Sequence, residues 1–113
     1  MGSGPTPFNL LSAALAACTT MTLRLYADRK GWPVERIRTG VTHRKDKAFD
    51  KPDIFSRRVE IEGAIDEAQH AELLSIADRC PVHRTLETGS RFEATEAGWA
   101  DAGPAMEDAA TDR

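Results

Sequence analysis

The sequence predicts an α+β fold in which one long, buried helix packs against antiparallel strands. Three observations carry that expectation. From Phe8 to Leu23 the chain holds no charged residue, and Phe8, Leu11, Leu15, Cys18, Thr22 and Leu25 recur at helical spacings of three and four. Two later stretches, "VERIRTGVTHRK" and "FSRRVEIEGAI", alternate apolar with charged residues at a period of two. A third, "DEAQHAELLSIADRC", opens on a helix-capping pattern and runs to the second of two cysteines.

Taken in order, the elements justify themselves locally. "MGSGPTP" is a Gly/Ser/Pro lead-in, and Pro7 suits the first turn of a helix, where its missing N–H is not needed. Leu10, Ala14, Ala17, Met21 and Tyr26 widen the apolar stripe, so burial on most sides is expected, in the concavity of a sheet or against a partner subunit. Gly31 ends this helix just past Lys30, and Trp32-Pro33 fixes the exit. On the first strand Ile37, Thr39, Val41 and His43 share one face and Arg36, Arg38, Thr42 and Arg44 the other. The polar link "DKAFDKPDI", broken by Pro52, is a loop. On the second strand Val59, Ile61 and Ile65 alternate with Arg58, Glu60 and Glu62.

Asp66 with Gln69 three residues on forms a capping box, and the helix it opens has Leu73, Leu74, Ala77 and Cys80 as inner positions. Pro81 interrupts, "VHRTLET" makes a short helix closed by Gly89, and residues 90–95 read as a last short strand. Residues 96–113 are rich in Ala, Gly, Asp and Glu, with scattered Trp99 and Met106, and read as a flexible tail. The expectation is therefore one domain over residues 1–113 with its core in about 4–95.

Composition narrows the function. The 113 residues, 41% hydrophobic and 29% charged, suit a single soluble domain. The net charge is -3, from 15 basic and 18 acidic residues, and no basic block is long enough to track a phosphate backbone, so nucleic acid is not an expected partner. Two cysteines 62 positions apart make no disulfide scaffold, and no His/Cys pair has metal spacing, so neither metal nor cofactor is expected. "FNLLSAALAACTTM" has the small residues of a lipoprotein cleavage site before Cys18. It lacks a basic segment ahead of it and is interrupted by Asn9, Ser12, Thr19 and Thr20, so neither export nor a membrane span is expected. The expected location is the cytoplasm.

Chemistry concentrates on the cysteines. With Pro81 as the first residue of the short helix, Cys80 falls at its N-cap, where free N–H groups and the helix dipole favour a thiolate. His83 and Arg84 lie within a turn of it; His83 is read as tuning Cys80 or lining a pocket, or else as structural. Cys18, more than two turns past Pro7, gains little from its own helix, and a lone mid-helix cysteine is ordinarily core. Its activation requires a cation from elsewhere in the fold, because Arg24, six residues on, lies on a different face and Arg29, eleven on, lies about 16 Å along the axis. His43 reads as core or surface, His70 as a solvated neighbour of Glu67, and Glu87 as solvent-facing.

"GPTPFNLLSAALAACTTMTLRLYADRKGW" followed, after two strands, by "LLSIADRCPVHRTLETG" resembles the OsmC/Ohr family of osmotically induced and organic-hydroperoxide-resistance proteins, in its OsmC-like branch, over roughly Gly4 to Thr95. The resemblance implies an OsmC-like fold, an intertwined homodimer in which two long central helices are wrapped by sheets, with sites at the subunit boundary. It implies a thiol peroxidase: Cys18 attacks organic or hydrogen peroxide and becomes a sulfenic acid, Cys80 resolves it as a disulfide, and a dithiol reductant such as a lipoyl protein restores the thiols.

Two departures accompany the likeness. Family members carry a sheet segment ahead of the Gly-x-x-Pro turn, and it supplies an arginine for the first thiolate; this chain starts at that turn and is read as N-terminally shortened. The peroxidase branches place a glutamate ten residues before the first cysteine to hold that arginine, and here the position is Phe8. The alternative function is accordingly a weakly active or non-catalytic OsmC-like dimer, acting as a redox sensor or binding a small hydrophobic molecule.

Overall fold

Thr6 starts the first helix, its hydroxyl accepting the Asn9 N–H at 3.1 Å with Pro7 in the first turn. In the computed structural model, which describes residue 4 and residues 6–94, that helix is α1, Pro7–Lys30. Gly31 stops it in the left-handed conformation at φ 72°, its N–H returning to the carbonyls of Ala27 and Asp28. A β-hairpin follows, β1 at Val34–Lys45 and β2 at Asp53–Gly63, then α2 at Glu67–Ile76, a 3-10 turn at Ala77–Arg79, and α3 at Pro81–Thr88.

The hairpin is antiparallel, with Ile37 opposite Ile61, Thr39 opposite Val59, Val41 opposite Arg57 and His43 opposite Phe55. These pairs line the face toward α1. The other face carries Arg36–Glu62 at 3.9 Å and Arg38–Glu60 at 3.7 Å, exposed pairs that contribute a few tenths of a kcal/mol at most, on the order of 0.5. Gly63 ends β2 where a Cβ would collide with the Pro33 carbonyl, so only glycine fits that approach.

Helix α1 lies along the inner face of the hairpin. The hydroxyls of Thr20 and Thr39 bond at 2.8 Å, and Arg24 donates to the Val34 carbonyl at 2.8 Å. Leu23 and Ala27 of α1 meet Val34, and Leu73, Ile76 and Ala77 close the other side to form the core. Trp32 meets Tyr26 edge-on at 5.8 Å, and the Tyr26 hydroxyl donates to the Glu72 carboxylate, tying α1 to α2. The Asp66–Gln69 capping box is formed in both directions, at 2.8 and 3.0 Å.

Three sequence expectations change. The buried stripe of α1 is Ser12, Leu15, Thr19, Leu23 and Ala27, so within one chain a single face is covered. Leu10, Met21 and Leu25 are 59%, 70% and 54% exposed. The cause is the absence of charge over this stretch: with every side of the helix apolar, its pattern does not mark the side that one sheet will take. On α2, Leu74 is exposed and Ile76 takes the inner position, because Leu73, Ile76, Ala77 and Cys80 follow one another at helical spacings of three and four on one face, and Leu74 falls beside it. Residues 90–94 form no strand, and Thr95 and the tail at 96–113 lie outside the described residues.

By length and composition α1 would also pass for a membrane span. Its polar contacts to Thr39 and Val34, and its packing on Leu73, are those of a core helix.

Candidate functional site

Cys80 stands at a joint. The 3-10 turn ends at its N–H, which donates to the Ala77 carbonyl at 3.3 Å, and α3 begins at its carbonyl, which accepts from Arg84 at 3.0 Å. Pro81 occupies the first position of α3, and the N–H groups of Val82 and His83 lie near the Cys80 sulfur without forming a side-chain cap hydrogen bond. Cys80 is 0% exposed. Cys18 is half-buried on α1, one residue before the buried Thr19. Packing of α1 on the α2–α3 joint brings the two thiols near enough for each to influence the other's ionisation, and both are free.

The two thiols differ in how readily they ionise. Burial is the largest influence on each and opposes ionisation of both. On Cys80 it is outweighed by the Cys18 thiol first, then by the nearby N–H of His83, the Thr19 hydroxyl and the N–H of Val82, each of which favours the charged sulfur, and its pKa falls below the ordinary thiol value. On Cys18, burial is joined by the hydrogen bond and negative charge of Cys80, which the N–H of Val82 and the hydroxyl of Thr22 only partly offset, and its pKa rises. Of the two thiols, Cys80 is therefore the one that gives up its proton more readily, and Cys18 the one that keeps it.

Arg57 is the residue that sequence reasoning missed. It points inward from β2, and its side chain is only 14% exposed. Nη1 donates to Thr19 Oγ1 at 3.4 Å, to the Ala77 carbonyl at 3.3 Å and to His83 Nδ1 at 3.2 Å, and Nη2 donates to Asp78 Oδ1 at 2.7 Å. A guanidinium only donates, so His83 Nδ1 is an acceptor and the imidazole proton lies on Nε2, 3.6 Å from Glu87 Oε2. The signal was in the sequence: Arg57 has the parity of Phe55, Val59 and Ile61, the face read as apolar.

Beside these groups lies an open cavity of about 840 Å³ whose lining joins Leu15, Pro52, Phe55 and Leu86 to Arg57, His83 and the charged Asp50, Lys51, Asp53 and Glu87. Lys51 Nζ donates to the Glu87 carbonyl at 3.2 Å, holding the hairpin loop against α3. Arg24 is committed to the Val34 carbonyl and to Asp28, away from the thiols, whereas His43 is clamped in its own cluster: it stacks on Phe8 at 4.4 Å and bonds Asp53 at 2.8 Å. Phe8 therefore anchors the start of α1 on the hairpin. Among the described residues no group of three or more His, Cys, Asp or Glu side chains is placed to hold a metal ion.

The sequence matches the family model for OsmC-like proteins over residues 1–95. Among solved structures, it is similar to an OsmC-like protein from Mycoplasma pneumoniae at 25% identity and a TM-score of 0.66, over 76% of this chain and 64% of that one. It shares its fold with an OsmC-like hydroperoxide resistance protein from Jannaschia sp. CCS1, at 19% identity and a TM-score of 0.64, over 88% of this chain and 71% of that one. The organic hydroperoxide resistance protein OhrB of Bacillus subtilis aligns at 23% identity and a TM-score of 0.55, over 74% and 64%. The chain thus spans 64% of the length of the Mycoplasma protein. No curated protein matches the sequence.

Proposed function

The chain belongs to the OsmC-like protein family, and from that membership we propose that it reduces organic or hydrogen peroxide through Cys18 and Cys80. The observation that carries the reading is the proximity of a half-buried thiol on α1 to a buried thiol at the start of α3, close enough for each to shift the other's ionisation.

The chemistry follows from this difference between the thiols. A peroxide reaches Cys18, the more exposed sulfur, and the Cys18 proton passes to Cys80 as it approaches. The Cys18 thiolate then attacks the terminal peroxide oxygen: an S–O bond forms, the O–O bond breaks, Cys18 is oxidised to a sulfenic acid and an alkoxide leaves. Cys80 returns the proton to the alkoxide, giving the alcohol, or water from hydrogen peroxide. Cys80, a thiolate again, attacks the Cys18 sulfenic sulfur, forms the disulfide and releases hydroxide, which takes a proton from solvent. A dithiol reductant such as a lipoyl group supplies two electrons to restore both thiols. A cytoplasmic location goes with this cycle, because a reducing compartment returns the pair to its thiol state.

The apolar face of α1 left bare by its own hairpin, with Leu10, Met21 and Leu25, supports a homodimer in which a second copy covers it. A second reading, capture of a small hydrophobic molecule, is supported by the cavity beside Arg57.

One experiment separates the readings. Thiols are counted before and after one equivalent of an alkyl hydroperoxide, and again after a dithiol is added. Rapid loss of both thiols and their return supports the peroxidase; an unchanged count removes it in favour of ligand binding. Cys18→Ser abolishes the oxidation, whereas Cys80→Ser leaves a sulfenic or over-oxidised Cys18 in place of the disulfide.

A further inference from the structure

We infer that Arg57 is a positioning residue for the thiol pair, acting on Cys80 through the three groups that surround it. The inference rests on the reading of Cys18 and Cys80 as the working pair. Arg57 is not in bonding contact with the sulfur. It touches Thr19 Oγ1, whose hydroxyl favours the charged Cys80 sulfur; the Ala77 carbonyl, which receives the Cys80 N–H; and His83, whose backbone N–H at the start of α3 favours the same charge. One guanidinium thus reaches every side of the Cys80 pocket that α1, the 3-10 turn and α3 provide.

Each contact has a consequence for charge. The Thr19 hydroxyl donates at 2.8 Å to the Leu15 carbonyl and accepts from Arg57. With its lone pair held by a cation, that hydroxyl is a stronger donor, and it swings to the sulfur when Cys80 ionises. The His83 ring, kept as an acceptor at Nδ1, holds the first turn of α3 against β2, so the N–H groups of Val82 and His83 stay close to Cys80. The positive charge itself, largely removed from water, lowers the cost of a buried thiolate one group away.

Among the described residues, the charged and titratable groups around Cys80 are Cys18 from α1, Arg57 from β2 with its partner Asp78 from the 3-10 turn, and His83 with its partner Glu87 from α3. Asp78 opposes Arg57, since it is exposed and paired with the guanidinium at 2.7 Å. It draws off part of the field that would otherwise reach the sulfur.

The test is a pH titration of the full chain followed by the ultraviolet absorption of the thiolate, with thermal unfolding recorded in parallel. Arg57→Gln should reduce the thiolate population at neutral pH by about tenfold, the scale of one lost charge-assisted contact. Arg57→Lys keeps the charge without the fork and should recover part of it. Asp78→Asn, a change at an exposed position, should move the titration the opposite way, toward more thiolate.

A purely structural arginine predicts lowered stability with the titration unmoved. An unmoved titration in Arg57→Gln, an Arg57→Lys variant no better than Arg57→Gln, or an Asp78→Asn titration unmoved or shifted toward less thiolate would each overturn the inference. The last measurement stands even where Arg57→Gln does not fold. The readout needs no peroxide, so a chain that forms no disulfide with hydroperoxide refutes the peroxidase while the titration still judges Arg57.

Discussion

Removing either thiol should move the other in opposite directions. In Cys18→Ala, Cys80 loses the neighbouring S–H that most favours its charge, while burial continues to oppose it. A hydrogen bond to a charged group contributes about 1.5–3 kcal/mol, and a thiol is a weak donor, so the lower end applies. At about 1.4 kcal/mol per factor of ten, the Cys80 thiolate population at neutral pH should fall roughly tenfold. In Cys80→Ala, Cys18 is freed from the neighbour whose bond and charge hold its proton on, and its thiolate population should rise by a similar factor, about tenfold. The assay is the thiolate's ultraviolet absorption as a function of pH in each single-cysteine chain, which does not depend on reagent access to the buried Cys80. Two variants that shift the same way would show that the thiols titrate independently, and the shared proton would be lost from the mechanism.

Three further outcomes are expected. The Ser12 hydroxyl is buried without a hydrogen-bond partner, so Ser12→Ala should raise stability by about 1 kcal/mol in denaturant unfolding; a loss would reveal a partner for it. Asp53 is held below the usual carboxylate range first by its bond to His43 and then by Lys45. Its depressed folded-state value means that the stability it contributes is present above the unfolded carboxyl's value and is lost as pH falls through the folded one. Asp53→Asn should therefore flatten the acid limb of a plot of melting temperature against pH and leave its shape above about pH 6 unchanged. Met21→Glu, on the bare face of α1, should convert a dimer to monomer in sedimentation velocity, and a dimer that survives it lies on another face.

The sequence made most of the architecture legible because its signals were local. Gly31 after Lys30, the Asp66–Gln69 box and the period-two strands each depend on a few neighbouring residues, and all recur in the structure. The placement of Cys80 was legible for the same reason, since Pro81 decides it. What was not legible depended on which side of an element meets which neighbour. An uncharged helix gives no phase, so Leu25 was read as inner and Leu23 supplies the core instead. Arg57 was passed over because its neighbours Arg58 and Glu60 made the segment look like a charged face, although its own parity was apolar. The meeting of Cys18 with Cys80 came from the family likeness, and spacing alone left Cys18 as a core residue.

The joint at Cys80 also couples redox state to mechanical integrity. A Cys18–Cys80 disulfide would staple the middle of α1 to the start of α3 and close a loop of about 60 residues that contains the whole hairpin and α2. On the chain-entropy account such a closure removes freedom from the unfolded chain equivalent to about 4 kcal/mol. The oxidised protein would then resist denaturant more than the reduced one. By the same linkage, the folded chain would hold its disulfide against weak reductants and yield it to a dithiol that can complete the exchange intramolecularly.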